Sequence, residues 1–271
     1  MCAWIGFAAS AAAADTLPAC LGLEPGPTRT VVRVLDGETI ALDDGTELRL
    51  VGALAPRTVD VDAEPGTWPL ESAAADALRA LVLGRSVELR FGADGAGPRK
   101  DRYGRWQAQM LLIENGRRRW VQGALLQQGL ARAYAMATGG ARRCMGDLLA
   151  AEQRAREPRL GLWSEAAYQV RPADKPAELL RYRATFQVVE GVIVRIGQTR
   201  GSLYLNFTTD WRRGFSVSLR RADMEEVLGS HAGNPRSLEG RTARVRGWIA
   251  QRGGAPVIDL SAAGGIEVLG Q

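Results

Sequence analysis

Acidic and cationic residues of types that suit phosphate chemistry lie in two short segments of this chain. The first is Val34-Leu35-Asp36-Gly37-Glu38-Thr39, followed by Arg49, and the second is Asp101-Arg102-Tyr103-Gly104-Arg105. Carboxylates are ligands that a hard cation such as Ca²⁺ prefers, and guanidinium forks bind phosphoryl oxygens through paired hydrogen bonds. These residue types therefore indicate a site for phosphate groups.

The order and spacing of these segments resemble the staphylococcal nuclease (thermonuclease) family of metal-dependent phosphodiesterases. The later pattern of that family is also present, as Gln122-Gly123-Ala124-Leu125-Leu126, Leu148-Leu149-Ala150-Ala151-Glu152 and Gly161-Leu162-Trp163. The resemblance covers about residues 28–165. It implies an OB-fold barrel, and a calcium-activated water that attacks phosphorus while two arginines stabilise the charge that builds there.

The resemblance implies roles for three residues. Glu38 takes the position of a metal-ligand aspartate. Arg49 and Arg105 take the two positions of the phosphate-stabilising, catalytic arginines. Both arginines have the family spacing, since Arg49 precedes Pro56 by seven residues and Arg105 closes a Tyr-Gly-Arg sequence.

The chain departs from the family at the segment Leu54-Ala55-Pro56-Arg57, where the family reads Asp-Thr-Pro-Glu or Asp-Ala-Pro-Glu. Leu54 stands at the second ligand aspartate, and Arg57 stands at the catalytic glutamate. Calcium affinity follows the number of charged oxygen ligands. We therefore predict that the metal site is reduced to Glu38 and does not function, so that no cofactor binds; Ca²⁺ is the expected cofactor if the chain is active.

Other carboxylates are an alternative source of ligands. Asp60, Asp62 and Glu64 follow in the same loop and would reach Glu38 if that loop folded back. Asp36 is expected to order the Asp-Gly turn. The alternative function is thus an active calcium-dependent nuclease that uses rearranged acids.

The remaining residues favour binding to nucleic acid or another polyanion. We predict that Arg57, Lys100, Arg102 and Tyr103 contact nucleic acid, because OB folds bind single strands with a basic groove and stacking rings. The net charge of +5 favours the same partners. Whether the chain is an enzyme stays open, and a non-catalytic envelope scaffold or interaction protein is a further alternative.

The hydrophobic pattern predicts a mainly β protein with helices, in which an OB-fold barrel at residues 28–164 precedes a second, OB-like barrel at 183–271. The first barrel combines five strands with a helix over Pro69–Leu83, after the third strand. Residues 165–182 are rich in Pro, Ala and charge and are expected to form a linker. In the second region, basic and aromatic residues surround the strands of Tyr204 and Phe207: Arg195, Arg200, Trp211, Arg212 and Arg213. The hairpin from Asn206 to Trp211 is either ligand-facing or merely well packed.

The N-terminal residues indicate export to the periplasm or the medium. Residues 1–14 are uncharged and end in an Ala-rich run before Asp15, as a signal peptide does, and 15–27 would form an arm. The apolar run is too short to span a bilayer. Cys20 and Cys144 form an even pair once such a leader is removed, which predicts a disulfide. The sequence leaves the oligomeric state open.

Overall fold

The computed structural model describes residues 19–60, 68–92, 99–134 and 141–270. The predicted signal peptide therefore lies outside the described residues. In chain order the first half contains β1 (Glu24–Val34), β2 (Thr39–Leu42), β3 (Glu47–Leu50), β4 (Ala53–Leu54), α1 (Pro69–Val82), β5 (Ser86–Phe91), β6 (Arg99–Lys100), β7 (Trp106–Glu114), β8 (Arg117–Trp120), α2 (Val121–Gln127), β9 (Arg132–Ala133) and α3 (Ala141–Arg156).

Five of these strands close into a barrel. β1 pairs with β2 and β5, β2 pairs with β3, and β7 joins β5 to β3. Within this ring the β3–β7 pair is parallel and the other pairs are antiparallel. The helix α1 lies in the chain between the third barrel strand, β3, and the fourth, β5. This is the OB-fold plan, so the predicted fold class is confirmed.

The helix α1 covers one end of the barrel with a single apolar face. Ala74, Leu78 and Leu81 follow one another at helical spacing and are at most 7% exposed. Pro69 occupies the first turn, where its missing N–H costs nothing. The helix ends at Val82, one residue before the predicted end.

The helices α2 and α3 pack against each other, and a disulfide ties α3 to the N-terminal end of the described chain. Cys20 and Cys144 are bonded, with their Cα atoms 4.6 Å apart, and both are fully buried. The predicted disulfide is thus confirmed. It closes a loop of 124 residues around the first barrel.

The second half of the chain contains β10 (Arg171–Pro172), α4 (Pro176–Leu180), β11 (Phe186–Val192), β12 (Arg195–Gln198), β13 (Ser202–Asn206), β14 (Ser216–Arg220), α5 (Met224–Leu228), β15 (Thr242–Arg252), β16 (Ala255–Leu260) and β17 (Ile266–Leu269). Two residues separate β11 from β12, which together act as one bent strand. This strand pairs with β13 at one end and with β15 at the other, and β14 runs parallel to β16. The ring order repeats that of the first barrel and confirms an OB-like second region.

Residues 165–182, expected as a linker, form local structure that packs on both halves. Leu179 of α4 is buried, and β10 adds in parallel to β11. Tyr168 lies in a short 3-10 turn and is 2% exposed. The composition of this segment is typical of a linker, but the apolar contacts of these few residues give it a defined structure. The exact domain boundaries stay a prediction.

Polar contacts of buried arginines join the halves of the molecule. Arg246 of β15 donates to both carboxylate oxygens of Glu152 in α3, each at 3.0 Å, and both side chains are almost fully buried. Arg132 of β9 donates to the carbonyl of Phe186. Across the described residues, no helix is long and apolar enough to cross a membrane.

Candidate functional site

A cavity of about 630 Å³ opens at one end of the first barrel, where the two sequence segments meet. It is lined by residues from the β1–β2 turn, β3, the loop after β4, α1, the turn before β7 and β7 itself. These are Asp36, Gly37, Glu38, Arg49, Ala55, Pro56, Arg57, Glu71, Asp101, Arg102, Tyr103, Arg105 and Gln107. The fold thus brings Glu38, Arg49 and Arg105 together, as the resemblance implies.

The turn between β1 and β2 places Glu38 at the inner wall of the cavity. The backbone N–H of Glu38 donates to Asp36 Oδ1 at 2.8 Å, so Asp36 orders the turn. A Cβ on Gly37 would lie 2.8 Å from the Cβ of Ala55 and 2.9 Å from that of Ala74. Glycine is required there because the turn packs directly on α1 and on the loop after β4.

The carboxylate of Glu38 is 4% exposed and has three donors around it. Arg49 Nη2 lies 2.9 Å from Glu38 Oε1, and Arg57 Nη2 contacts the same oxygen. The backbone N–H of Ala55 donates to Glu38 Oε2 at 3.1 Å. Both carboxylate oxygens are therefore engaged inside the protein.

Arg57 reaches into the cavity from a loop that the second half of the chain supports. Its backbone N–H donates to the hydroxyl of Tyr168 at 3.3 Å. Burial acts to lower the pKa of Arg57, but the attraction and hydrogen bond of Glu38 outweigh it and raise that pKa above its ordinary value. The guanidinium is thus a fixed positive charge beside Glu38, with 45% of its side chain open to solvent.

A tight turn before β7 orients Arg105. Asp101 Oδ2 accepts from Arg105 Nε at 2.7 Å, and Asp101 Oδ1 accepts from the backbone N–H groups of Tyr103 and Arg105. Gly104 allows this turn through its φ of +80°. Burial acts to raise the pKa of Asp101, but its bonds to Arg105 and Tyr103 lower it overall, so the carboxylate stays ionised.

Two arginines contact one aromatic ring at the cavity mouth. Tyr103 is 67% exposed, and the Cζ atoms of Arg102 and Arg105 lie 4.7 and 5.2 Å from its ring centroid. Arg102 Nη2 also donates to the Tyr103 hydroxyl at 2.6 Å. The arrangement offers a flat, electron-rich face next to positive charge.

The side chains present do not fit a calcium ion. Ca²⁺ takes six to eight oxygen ligands, several of them carboxylates. Of the acids nearest the expected position, Glu38 is saturated by two guanidinium groups and a backbone N–H, and Leu54 supplies no oxygen. Within the described ranges, no cluster of three or more Asp, Glu, His or Cys side chains is placed to hold a metal ion.

Asp60, one of the alternative acids, is engaged elsewhere. Its carboxylate accepts from Arg132 Nη2 at 2.8 Å, and the Tyr168 hydroxyl lies 3.4 Å from Asp60 Oδ2. Burial, together with the charge of Asp60, raises the pKa of Tyr168 to about 12, so this hydroxyl keeps its proton. Asp62 and Glu64 lie outside the described residues.

Of the four predicted nucleic-acid contacts, three line the cavity: Arg57, Arg102 and Tyr103. Lys100 lies on β6, exposed, and is not among the lining residues. The run Arg117–Arg119 lies outside this cavity, on strand β8, which pairs with β7 after the turn at Asn115-Gly116.

Sequence reasoning missed several residues that complete the site. Asp101 was quoted but given no role, although Asp-x-x-Gly is a turn pattern whose carboxylate binds the N–H groups that follow it. Glu71 of α1 accepts from the backbone N–H of Thr58 at 3.2 Å and so holds the loop after Arg57. No local pattern predicts Tyr168, whose contact with that loop spans 111 residues.

The barrel and its arginine-lined end define the class of protein as an OB-fold nuclease homologue. A profile of the family described as "Staphylococcal nuclease homologue" matches residues 47–165. The chain is also 35% identical over 141 residues to "Protein ParB" of Escherichia coli, which covers 50% of this chain and 71% of that protein. The chain therefore belongs to the staphylococcal nuclease homologue family.

Proposed function

We propose that this chain is an exported member of its family that binds nucleic acid or another phosphate-bearing polymer at the end of the first barrel. Metal-dependent hydrolysis of phosphodiesters is weak or lost in it. Membership of the family supports a nucleic-acid ligand. Activity does not follow from the fold, because it depends on the side chains of the site.

The single observation that carries the proposal is the pairing of Arg57 with Glu38. A guanidinium occupies the place beside Glu38 in which a cation would be bound by carboxylates. Arg49 pairs with the same carboxylate. Of the acids that line the cavity, Glu38 and Asp101 are each paired with arginine, whereas a hydrolytic site needs carboxylates that are free to bind a metal ion.

The remaining geometry suits a phosphate that is held rather than cleaved. Two guanidinium groups line the cavity: Asp101 holds Arg105 through Nε and Nη2, which leaves its Nη1 group, and Arg57 has part of its side chain in solvent. Paired N–H donors of this kind bind phosphate oxygens in a defined orientation. Tyr103 offers a face on which an adjacent base stacks.

The disulfide supports the exported location in the proposal. A bonded Cys20–Cys144 pair persists in oxidising compartments such as the periplasm or the medium. Processing before Asp15 is the expected route. Protein recovered from the periplasm or the medium should have Asp15 as its first residue, as determined by intact mass.

A binding and digestion assay tests the proposal. Labelled single-stranded and duplex DNA and RNA are incubated with the full mature chain, with Ca²⁺ and with a chelator. We expect binding that weakens steeply as salt rises, and little or no digestion in either condition. Arg105→Ala should lower affinity about tenfold, since a charge-assisted bidentate contact contributes roughly 1–3 kcal/mol.

Arg85→Ala is the matched control. It removes the same charge from an exposed pair with Glu114, at the opposite end of β7 from Arg105, and should change affinity less than twofold. Strong calcium-stimulated digestion that Arg49→Ala abolishes would instead show an active nuclease. Absence of any salt-sensitive affinity would favour the scaffold function.

A further inference from the structure

A second cavity, of about 870 Å³, lies on the OB-like second half of the chain and shares no lining residue with the first. Residues on four neighbouring strands form its floor. Cross-strand pairing places Arg195 opposite Asn206, Asn206 opposite Ser216, and Ser216 opposite Val257. Because directly paired residues point to the same face of a sheet, this row lies side by side across the barrel wall.

The floor is low and open, so that a ligand can lie along it. Gly197 on β12 presents no side chain, and its nearest neighbours leave ordinary van der Waals space above it. Asn206 Nδ2 donates to the Arg195 carbonyl at 3.2 Å, which fixes the amide and directs its acceptor oxygen away from that strand. Ile196 and Leu205, which alternate with these residues, are buried in the core.

Positive charge surrounds this floor. Four arginines line the cavity, and no carboxylate does: Arg195, Arg212, Arg236 and Arg252. Arg252 pairs with Asp259 at 2.6 Å. Throughout the described part of the chain, no carboxylate lies within ion-pair distance of Arg195, Arg212 or Arg236. Such uncompensated charge at a concave surface attracts polyanions.

A rigid loop presents an aromatic ring at the rim. Trp211 is 52% exposed, and Arg212 Cζ lies 4.6 Å from its ring centroid. The Asp210 carbonyl accepts from Thr208 Oγ1 at 3.1 Å and from the backbone N–H of Gly214 at 2.8 Å. A Cβ on Gly214 would overlap Thr208 Oγ1, so the loop closes tightly beneath the exposed indole.

We infer that this second cavity is a binding site for single-stranded nucleic acid. The arginines contact consecutive phosphates, and Trp211 stacks on an unpaired base. Repeating negative charge together with flat bases is the ligand chemistry that matches a cationic trough with one exposed ring. The site uses the sheet face and the loops at the β12–β13 and β15–β16 turns, the surface through which OB folds bind oligomers. It goes beyond the first-barrel site proposed above.

Fluorescence anisotropy with a labelled single-stranded DNA oligomer tests this inference on the full chain. Trp211→Ala should lower affinity about tenfold, the effect of losing one stacked base. The pair Arg195→Glu with Arg236→Glu should lower affinity further. It should also reduce the dependence of log affinity on log salt by about 1.4, since each lost single-strand phosphate contact removes about 0.7.

The matched control is Arg181→Glu with Arg183→Glu, which changes the charge equally. Both arginines are exposed on the segment between α4 and β11, outside the β12–β13 turn and the Trp211 loop, and neither lines the cavity. All variants are compared in a chain that carries Arg105→Ala, so that loss of the first-barrel site is not mistaken for loss of this one. Thermal melting verifies that each variant folds.

Three outcomes would overturn the inference. In the first, the cavity variants bind as tightly as the chain with Arg105→Ala alone. In the second, the control pair loses as much affinity as the cavity pair does. Alternatively, polyphosphate of matched charge competes as well as the oligomer and Trp211→Ala has no effect, which would mean that charge alone is bound. Preferential loss of binding in the two cavity variants, with duplex bound more weakly than single strand, supports it.

Discussion

At the residue scale, the decisive contact is between Glu38 and two arginines that come from different parts of the first barrel. Arg49 comes from β3, and Arg57 comes from the loop after β4. A buried carboxylate without partners would be costly, and the two guanidinium groups and the Ala55 N–H supply those partners. The side chain that resembles a metal ligand is thereby part of an internal ion pair.

Replacing Arg57 with glutamate tests whether that arginine is what keeps Ca²⁺ from the site. Arg57→Glu removes the positive charge next to Glu38 and adds a second carboxylate, whose repulsion a divalent cation relieves. We expect Ca²⁺ to raise the melting temperature of this variant by several degrees, because a ligand at 100 times its Kd stabilises by about 2.7 kcal/mol. The wild-type chain should not respond.

Arg57→Gln is the control, because it removes the cation without adding an acid. It should melt at the same temperature with Ca²⁺ and with chelator. An equal calcium response in wild type and Arg57→Glu would mean that the native site holds the ion despite Arg57.

At the element scale, the turn from Asp101 to Arg105 sets the position of one guanidinium. Asp101 supplies both carboxylate oxygens to this turn and is 8% exposed at its side chain. One long-range hydrogen bond of this turn runs from Arg105 Nη1 to Thr39 Oγ1 at 3.4 Å, and the contacts of Asp101 are local. Its geometry therefore depends on the charge of Asp101.

Asp101→Asn should cost about 1 kcal/mol of unfolding free energy at pH 7, less than a fully buried charged hydrogen bond because solvent is close. The pKa of Asp101 is lowered in the folded state, so its stabilising effect is complete above its unfolded pKa of about 3.9 and is lost as pH falls through the folded value. Urea unfolding at pH 7, 5 and 3 should show the difference from wild type shrinking below about pH 4.

The control for this turn is Asp76→Asn, which alters an exposed pair with Arg79 on α1. It should change the unfolding free energy by less than about 0.5 kcal/mol. A stability difference for Asp101→Asn that stays constant down to pH 3 would contradict the assigned role of the ionised carboxylate.

The elements themselves were predicted best where local pattern and local contacts agree. β5, Ser86–Phe91, is of this kind, because apolar residues alternate in it as Val87, Leu89 and Phe91, and Gly84 marks the preceding turn. β17 was missed, since Ile266–Leu269 follows a run of small residues and gains its order by pairing with β15. Strands β4 and β9, of two residues each, exist only because each pairs with the other.

The candidate site shows the same division. Family spacing predicted that Glu38, Arg49 and Arg105 meet, because the barrel sets the relative positions of β1, β3 and β7. It did not predict that Arg57 turns inward onto Glu38, since that depends on the fold of a loop held by Tyr168. The partner of Asp60 could not be predicted from the sequence either, because Arg132 lies 72 residues further along the chain.

At the scale of the whole molecule, the second barrel supports the strand beside the candidate site. Glu152 Oε2 accepts from the Ala133 N–H at 2.6 Å, and Arg246 Nη1 donates to the Ala133 carbonyl at 3.1 Å. β9, which contains Ala133, pairs with β4, and the loop that carries Arg57 follows β4. The two barrels are thus linked to the site through two short strands.

Aromatic contacts reinforce this link. Tyr134 packs edge-to-face on Trp248 at 5.0 Å and on Phe186 at 5.7 Å between ring centroids. Burial raises the pKa of Tyr134, while the charge of Arg49 acts to lower it. The second barrel therefore approaches the candidate site through a ring cluster as well as through ion pairs.

The buried ion pair between the barrels gives the strongest stability prediction. Arg246→Ala leaves Glu152, which is fully buried, with Arg156 at 3.2 Å, and it also removes the arginine that Glu267 contacts. Removing one member of a buried pair costs about 3–5 kcal/mol, because the other charge stays desolvated. We expect a loss of this size in urea unfolding at pH 7, with weaker oligonucleotide binding because β9 and β4 lose support.

Two comparisons isolate the cause of that loss. Arg252→Ala removes an arginine from the same strand, but from an exposed pair with Asp259, and should cost less than about 1 kcal/mol. Arg246→Met with Glu152→Leu removes both buried charges and leaves Glu267, whose side chain is 19% exposed, as the other former partner of Arg246, so it should recover part of the stability that Arg246→Ala loses. If the double replacement is as unstable as Arg246→Ala, the loss comes from packing at the barrel contact rather than from an unpaired Glu152 carboxylate.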